Sequence, residues 1–102
     1  MDWNEIRQKV EANGNILTVK MAVLRDATGK GRLGRKVRIL IHKELSKHAL
    51  GHVPEELSNK QSAWVRLYRR GTPIGDLIEK ILTPTKPGDK SLVKRLGDNA
   101  TD

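Results

Sequence analysis

Thr28-Gly29-Lys30-Gly31-Arg32-Leu33-Gly34-Arg35-Lys36 is a Gly-rich, strongly basic turn that runs straight into an amphipathic segment. Its glycines let a backbone approach an anion closely, and a helix that follows begins with free N–H groups that attract negative charge. Beyond it, Leu33, Val37, Leu40, Ile41 and Leu45 fall on one helical face, which predicts a helix from Leu33 to about Leu50. Gly51 is the expected stop, with Pro54 shortly after. The opposite face presents Arg35, Ile39, His42, Lys43 and Ser46, flanked by Lys36 and Arg38.

Charge follows the same stretch. Residues 16–50 hold nine of the Lys/Arg and only two of the Asp/Glu residues, in a chain whose formal net charge is +8. Clustering of this kind points to a phosphate-bearing partner, because electrostatic attraction to nucleic acid needs the cations on one surface.

Composition sets the other bounds. At 102 residues the chain fits one domain. Hydrophobic content is 36%, with two Trp, one Tyr and no Phe, so the core must be small and aliphatic. Without Cys there is neither a disulfide nor a thiolate metal site. No apolar run is long enough to span a bilayer, and the acidic, Trp-containing N-terminus is unlike a signal peptide. The expectation is a soluble, cytoplasmic protein with no membrane partner.

On the N-terminal side of the turn, Trp3, Ile6 and Val10 predict a helix capped by Asp2 or Asn4 and ended by Asn13-Gly14-Asn15. Ile16 to Ala27 has a helical stripe in Leu17, Met21 and Leu24, yet Ile16-Leu17-Thr18-Val19 also fits a short strand. On the C-terminal side, His52–Leu57 reads as extended and Ser58–Ser62 as a polar loop. Trp64–Arg70 is the best strand, with Val65 and Leu67 on one face and Trp64, Arg66, Tyr68 and Arg70 on the other. Thr72-Pro73 predicts a cap and first turn for a helix carrying Ile74, Leu77, Ile78, Ile81 and Leu82, which stops before Pro84. Residues 85–102 form a C-terminal extension, partly disordered, with a short helical segment at Ser91–Leu96.

This order of helices, basic helix and hairpin resembles winged helix-turn-helix DNA-binding domains over about residues 3 to 82. The resemblance rests on element order and charge. It implies an α+β, mostly helical fold: a winged-helix-like three-helix core with a small β-hairpin and a C-terminal helix, in a single domain of residues 1–84. It also implies that Arg35, Ile39, His42, Lys43 and Ser46 face the major groove and that Asn59, Lys60 and Gln61 lie on the wing. One departure is the turn before the basic helix, which is longer and richer in Gly and Arg than the family's tight turn.

The expected function is therefore binding of duplex DNA, with transcription regulation as its setting. Lys30, Arg32, Lys36, Lys43, Lys47 and Lys60 would neutralise phosphates, and Arg35 or Arg38 would contact guanine and Ile39 a thymine methyl. Two other classes stay open. One is a protein-interaction module, a homodimer or a subunit of a larger complex, using Ile39, the Ile74–Leu82 helix or the Ser91–Leu96 segment. The other is binding of single-stranded RNA by stacking on Trp64 and Tyr68, whose simpler role is to complete the core.

Weaker signals point nowhere specific. Gly29-Lys30-Gly31-Arg32-Leu33-Gly34 matches G-x-G-x-x-G, and Glu55 or Glu56 has the spacing of a ribose-binding acid. A dinucleotide site needs that motif to follow a strand inside a βαβ unit, which this chain does not offer. His48-x-x-x-His52 has metal-like spacing, but a helix stop between the two breaks the geometry. His48 instead suits a local hydrogen bond near Glu44. No catalytic constellation is legible, so neither enzyme activity, a cofactor nor a small-molecule substrate is expected.

Overall fold

A computed structural model describes residues 1–97. Helix α1 (Trp3–Ala12) begins at a capping box: the Glu5 amide donates to Asp2 Oδ1 at 2.8 Å, and the Asp2 amide donates to Glu5 Oε1. Gly14 and Asn15, both at positive φ, turn the chain into strand β1 (Ile16–Lys20). The ambiguity at Ile16–Val19 thus resolves as a strand, fixed by antiparallel pairing with β3 (Trp64–Arg69) in the register Ile16↔Tyr68 to Lys20↔Trp64.

Helix α2 (Met21–Thr28) follows without a break and without a side-chain cap. Its first amides, Met21 and Ala22, donate instead to the carbonyls of Ala63 and Gln61 at 2.9 and 3.0 Å. The loop between β2 (Leu50–Val53) and β3 therefore caps α2. Gly29, left-handed at φ 75°, ends α2.

Helix α3 (Arg35–Lys47) is shorter than its periodicity predicts. Leu33 precedes it, yet is buried in the core and anchors the turn. At the other end Ala49, at φ 58°, turns the chain out of the helix. Gly51 is thus not the helix stop. It lies in β2, where its missing Cβ makes room for the Tyr68 ring.

The sheet has order β1-β3-β2 and is antiparallel throughout. It has three strands, one more than the expected hairpin. One face carries Leu50, Val65 and Leu67 into a core shared with Ile6, Val10, Met21, Leu24, Leu33, Ile41, Leu45 and Leu57. Among the described residues the architecture is α+β: five α-helices and a three-stranded antiparallel sheet.

Helix α4 (Pro73–Leu82) starts as its sequence predicts, with Thr72 Oγ1 accepting from the Gly75 amide and donating to the Arg69 carbonyl. It lies against the other face of the sheet, near Ile16, Val53 and Arg66. Helix α5 (Lys86–Leu92) and a π-helical turn (Val93–Gly97) extend the predicted short helix in the N-terminal direction. The C-terminal extension is thus helical over 86–97, and the disorder expected at its end falls on residues 98–102, which lie outside the described ones. No helix among the described residues is long and apolar enough to cross a membrane.

Candidate nucleic-acid interface

The turn before α3 is built to be open. Leu33 is held in the core while Lys30, Gly31, Arg32 and Gly34 are exposed on either side of it. A Cβ added at Gly31 or Gly34 would meet nothing within 4 Å. Gly34 is the N-cap of α3 and has no side chain to cap it, so the first helical amides keep their capacity for an external acceptor. The G-x-G-x-x-G match joins two helices here, which removes the strand context a dinucleotide site requires.

From that turn, α3 presents Arg35, Lys36, Ile39, His42 and Lys43 to solvent, with Ile39 47% exposed. Lys30, Arg32, Arg35, Lys36 and Lys43 form no ion pair and no side-chain hydrogen bond among the described residues. By contrast Lys47, expected to neutralise a phosphate, is paired with Glu44 at 3.2 Å at the far end of α3.

Three expectations change. Arg38 is half-buried and donates from Nη1 to the Leu57 carbonyl at 3.2 Å, so it clasps the β2–β3 loop to α3. The loop is not a projecting wing: Gln61 accepts from Arg25 at 2.6 Å and its carbonyl caps α2, leaving Asn59 and Lys60 exposed at the bend. Aromatic packing divides, since Tyr68 is buried over Gly51 whereas Trp64 is 62% exposed beneath Lys20 Nζ, 5.3 Å from its ring centre.

The sequence reading missed what lies beside α3. A cleft of about 430 Å³ is lined by Arg35, Arg38, Ile39 and His42 on one side and by His52, Glu55, Glu56 and Leu57 on the other. His52 is almost fully buried, and its Nδ1 is 2.8 Å from the Pro54 carbonyl. That oxygen only accepts, so Nδ1 carries the proton and Nε2 accepts one from His42 Nδ1 at 2.9 Å. Burial lowers the His52 pKa from its ordinary value; the Pro54 carbonyl opposes this, while His42 and Arg70 add to it. The only available signal was the alternation Leu50-Gly51-His52, which aims His52 at the core side.

His48 meets its expectation of a local bond, its Nδ1 lying 2.8 Å from the Glu44 carbonyl, and its ring stacks near Trp3. His48 and His52 thus serve separate partners. Comparison of the chain with protein-family models, curated proteins and solved structures finds no match.

Proposed function

We propose that this chain is a small winged helix-turn-helix-like protein that binds duplex DNA through the Gly-rich turn and α3. The observation that carries this reading is the group Lys30, Arg32, Arg35, Lys36 and Lys43: five exposed cations without an acidic partner among the described residues. Such cations bind phosphates by releasing condensed counterions, which supplies affinity but no sequence information. The succession of α1, α2, α3 and the β2–β3 pair supports this reading, while the third strand and the packed loop depart from it.

In this mechanism Lys30 and Arg32 hold phosphates beside the uncapped start of α3. Arg35, Ile39, His42 and Lys43 then face the base edges, where Arg35 is suited to guanine and Ile39 to a thymine methyl. Glu55 and Glu56 line the far side of the cleft and repel backbone phosphates there, confining the duplex to the turn side of α3. Lys60 adds a flanking contact only if the duplex reaches the loop bend.

Arg32→Ala and Lys36→Ala test the placement. Each is expected to weaken binding to all duplex sequences alike and to reduce the slope of log affinity against log salt by about 1. Unchanged affinity in both variants at low salt would remove the interface from this surface.

A further inference from the structure

We infer that the sheet face opposite the core, together with α4, is a docking groove for an acidic amphipathic segment of another protein. This inference does not depend on the DNA reading, since the groove and the cleft beside α3 share no residue.

Strand alternation puts Ile16, Thr18, Lys20, Trp64, Arg66, Tyr68 and Val53 on this face. Helix α4 lies over this face near Ile16, Val53 and Arg66, and leaves Lys20 and Trp64 exposed. Between α4 and the strands lies a groove of about 300 Å³ lined by Ile16, Val53, Ile74, Leu77, Ile78, Ile81, Leu82 and one charged residue, Arg66. Ile81 is 60% and Leu82 45% exposed, on a helix whose only buried residue is Gly75. Hence the last turn of this amphipathic helix has its apolar stripe uncovered, and Ile74, Leu77 and Ile78 are only half-buried.

Among the described residues, the chain that follows α4 does not line the groove. Helix α5 runs back on the Lys80 side of α4, where Lys80 Nζ is 3.0 Å from Ser91 Oγ, and Arg95 reaches the Pro73 carbonyl.

Charge selects the occupant. Beyond Arg66 the same face continues to Lys20 and the exposed Trp64, whereas Asp76 and Glu79 of α4 lie along other clefts. A second copy of a chain with net charge +8 would bring Arg66 and Lys20 against their own kind. A single-stranded nucleic acid would satisfy Trp64 and the cations but would leave seven aliphatic side chains facing a phosphodiester backbone. An amphipathic segment with apolar residues on one face and Asp or Glu on its flank satisfies all of them, as helix-in-groove recognition does elsewhere.

The test uses the full chain and two labelled synthetic helical peptides, with Leu at heptad a and d positions and either Glu or Lys at the flanking positions. Saturable binding of the Glu peptide alone is expected by anisotropy, with a blue shift of Trp64 emission in a Trp3→Phe background. Ile81→Glu and Arg66→Glu, both at exposed positions, should each weaken it by about tenfold or more, while Lys36→Glu leaves it unchanged. Failure of the Glu peptide to bind would overturn the inference, as would loss of binding in Lys36→Glu but not in Arg66→Glu. A dimer dissolved by Ile81→Glu would make the occupant a second copy. Oligothymidylate binding lost in Arg66→Glu would make it a nucleic acid. In every case duplex affinity measured on the same Arg66 and Ile81 variants reports the DNA reading separately.

Discussion

His42 Nδ1 lies 2.9 Å from His52 Nε2, with the rings edge to face, so the exposed side of α3 is tied to the sheet through one shared proton. Because the Pro54 carbonyl holds His52 in its Nδ1–H form, the pair has a single direction, from His42 to His52 to Pro54. The lowered pKa of His52 carries a sign. Its neutral form is favoured in the fold, so the stability it contributes is complete above the unfolded value of 6.5 and is lost as pH falls through the lowered folded value. Urea denaturation between about pH 7.5 and 5 should show wild type approaching His52→Gln as pH falls. Parallel curves for the two proteins would contradict this account of the pair.

Gly51 and Tyr68 make a second contact of this kind across β2 and β3. A Cβ at Gly51 would overlap Cζ, Oη and Cε2 of the ring, and Tyr68 is almost fully buried there. Gly51→Ala should therefore destabilise by about 1–3 kcal/mol, an overpacking effect. Combining it with Tyr68→Leu should recover part of that loss by opening space, visible as a non-additive cycle in thermal or urea unfolding. Strict additivity would show that the two side chains do not compete for the same volume.

Arg35 and Arg38 should behave differently although both lie on α3. Arg38 donates to the Leu57 carbonyl and holds the loop, whereas Arg35 faces solvent. Arg38→Ala is expected to reduce stability by about 1.5 kcal/mol with little effect on the salt slope of DNA binding. Arg35→Ala should do the reverse, leaving stability within about 0.5 kcal/mol and weakening duplex affinity. Equal effects on both properties would refute the assignment of separate roles.

Much of this fold was legible because local chemistry and tertiary packing agree. Asp2 with Glu5, and Thr72 with Pro73, mark helix starts by side chains that satisfy amides. Val65 and Leu67 alternate as a half-buried strand should. What was left open or misplaced lies where partners distant in sequence decide. Ile16–Val19 is a strand because β3 lies beside it, 48 residues away in the Thr18–Arg66 pair. Gly51 looked like a helix stop, but Tyr68 is what requires a glycine there. The basic residues of the candidate interface were readable from charge clustering. Arg38 was misplaced because its carbonyl partner, Leu57, belongs to a loop whose path no periodicity encodes. Likewise, the His42–His52 pair and the groove over Arg66 exist only once the strands are ordered.

The central claim is that the turn and α3 form a phosphate-neutralising surface for duplex DNA. Its most direct test is a salt series of fluorescence anisotropy on the wild-type chain, with labelled duplex and single-stranded oligonucleotides of mixed sequence. Tighter binding to duplex is expected, with log affinity falling linearly against log salt at a slope of about −2.7 to −4.5, the range for three to five neutralised phosphates. Absence of binding to either form at low salt, or a preference for the single strand, would contradict it.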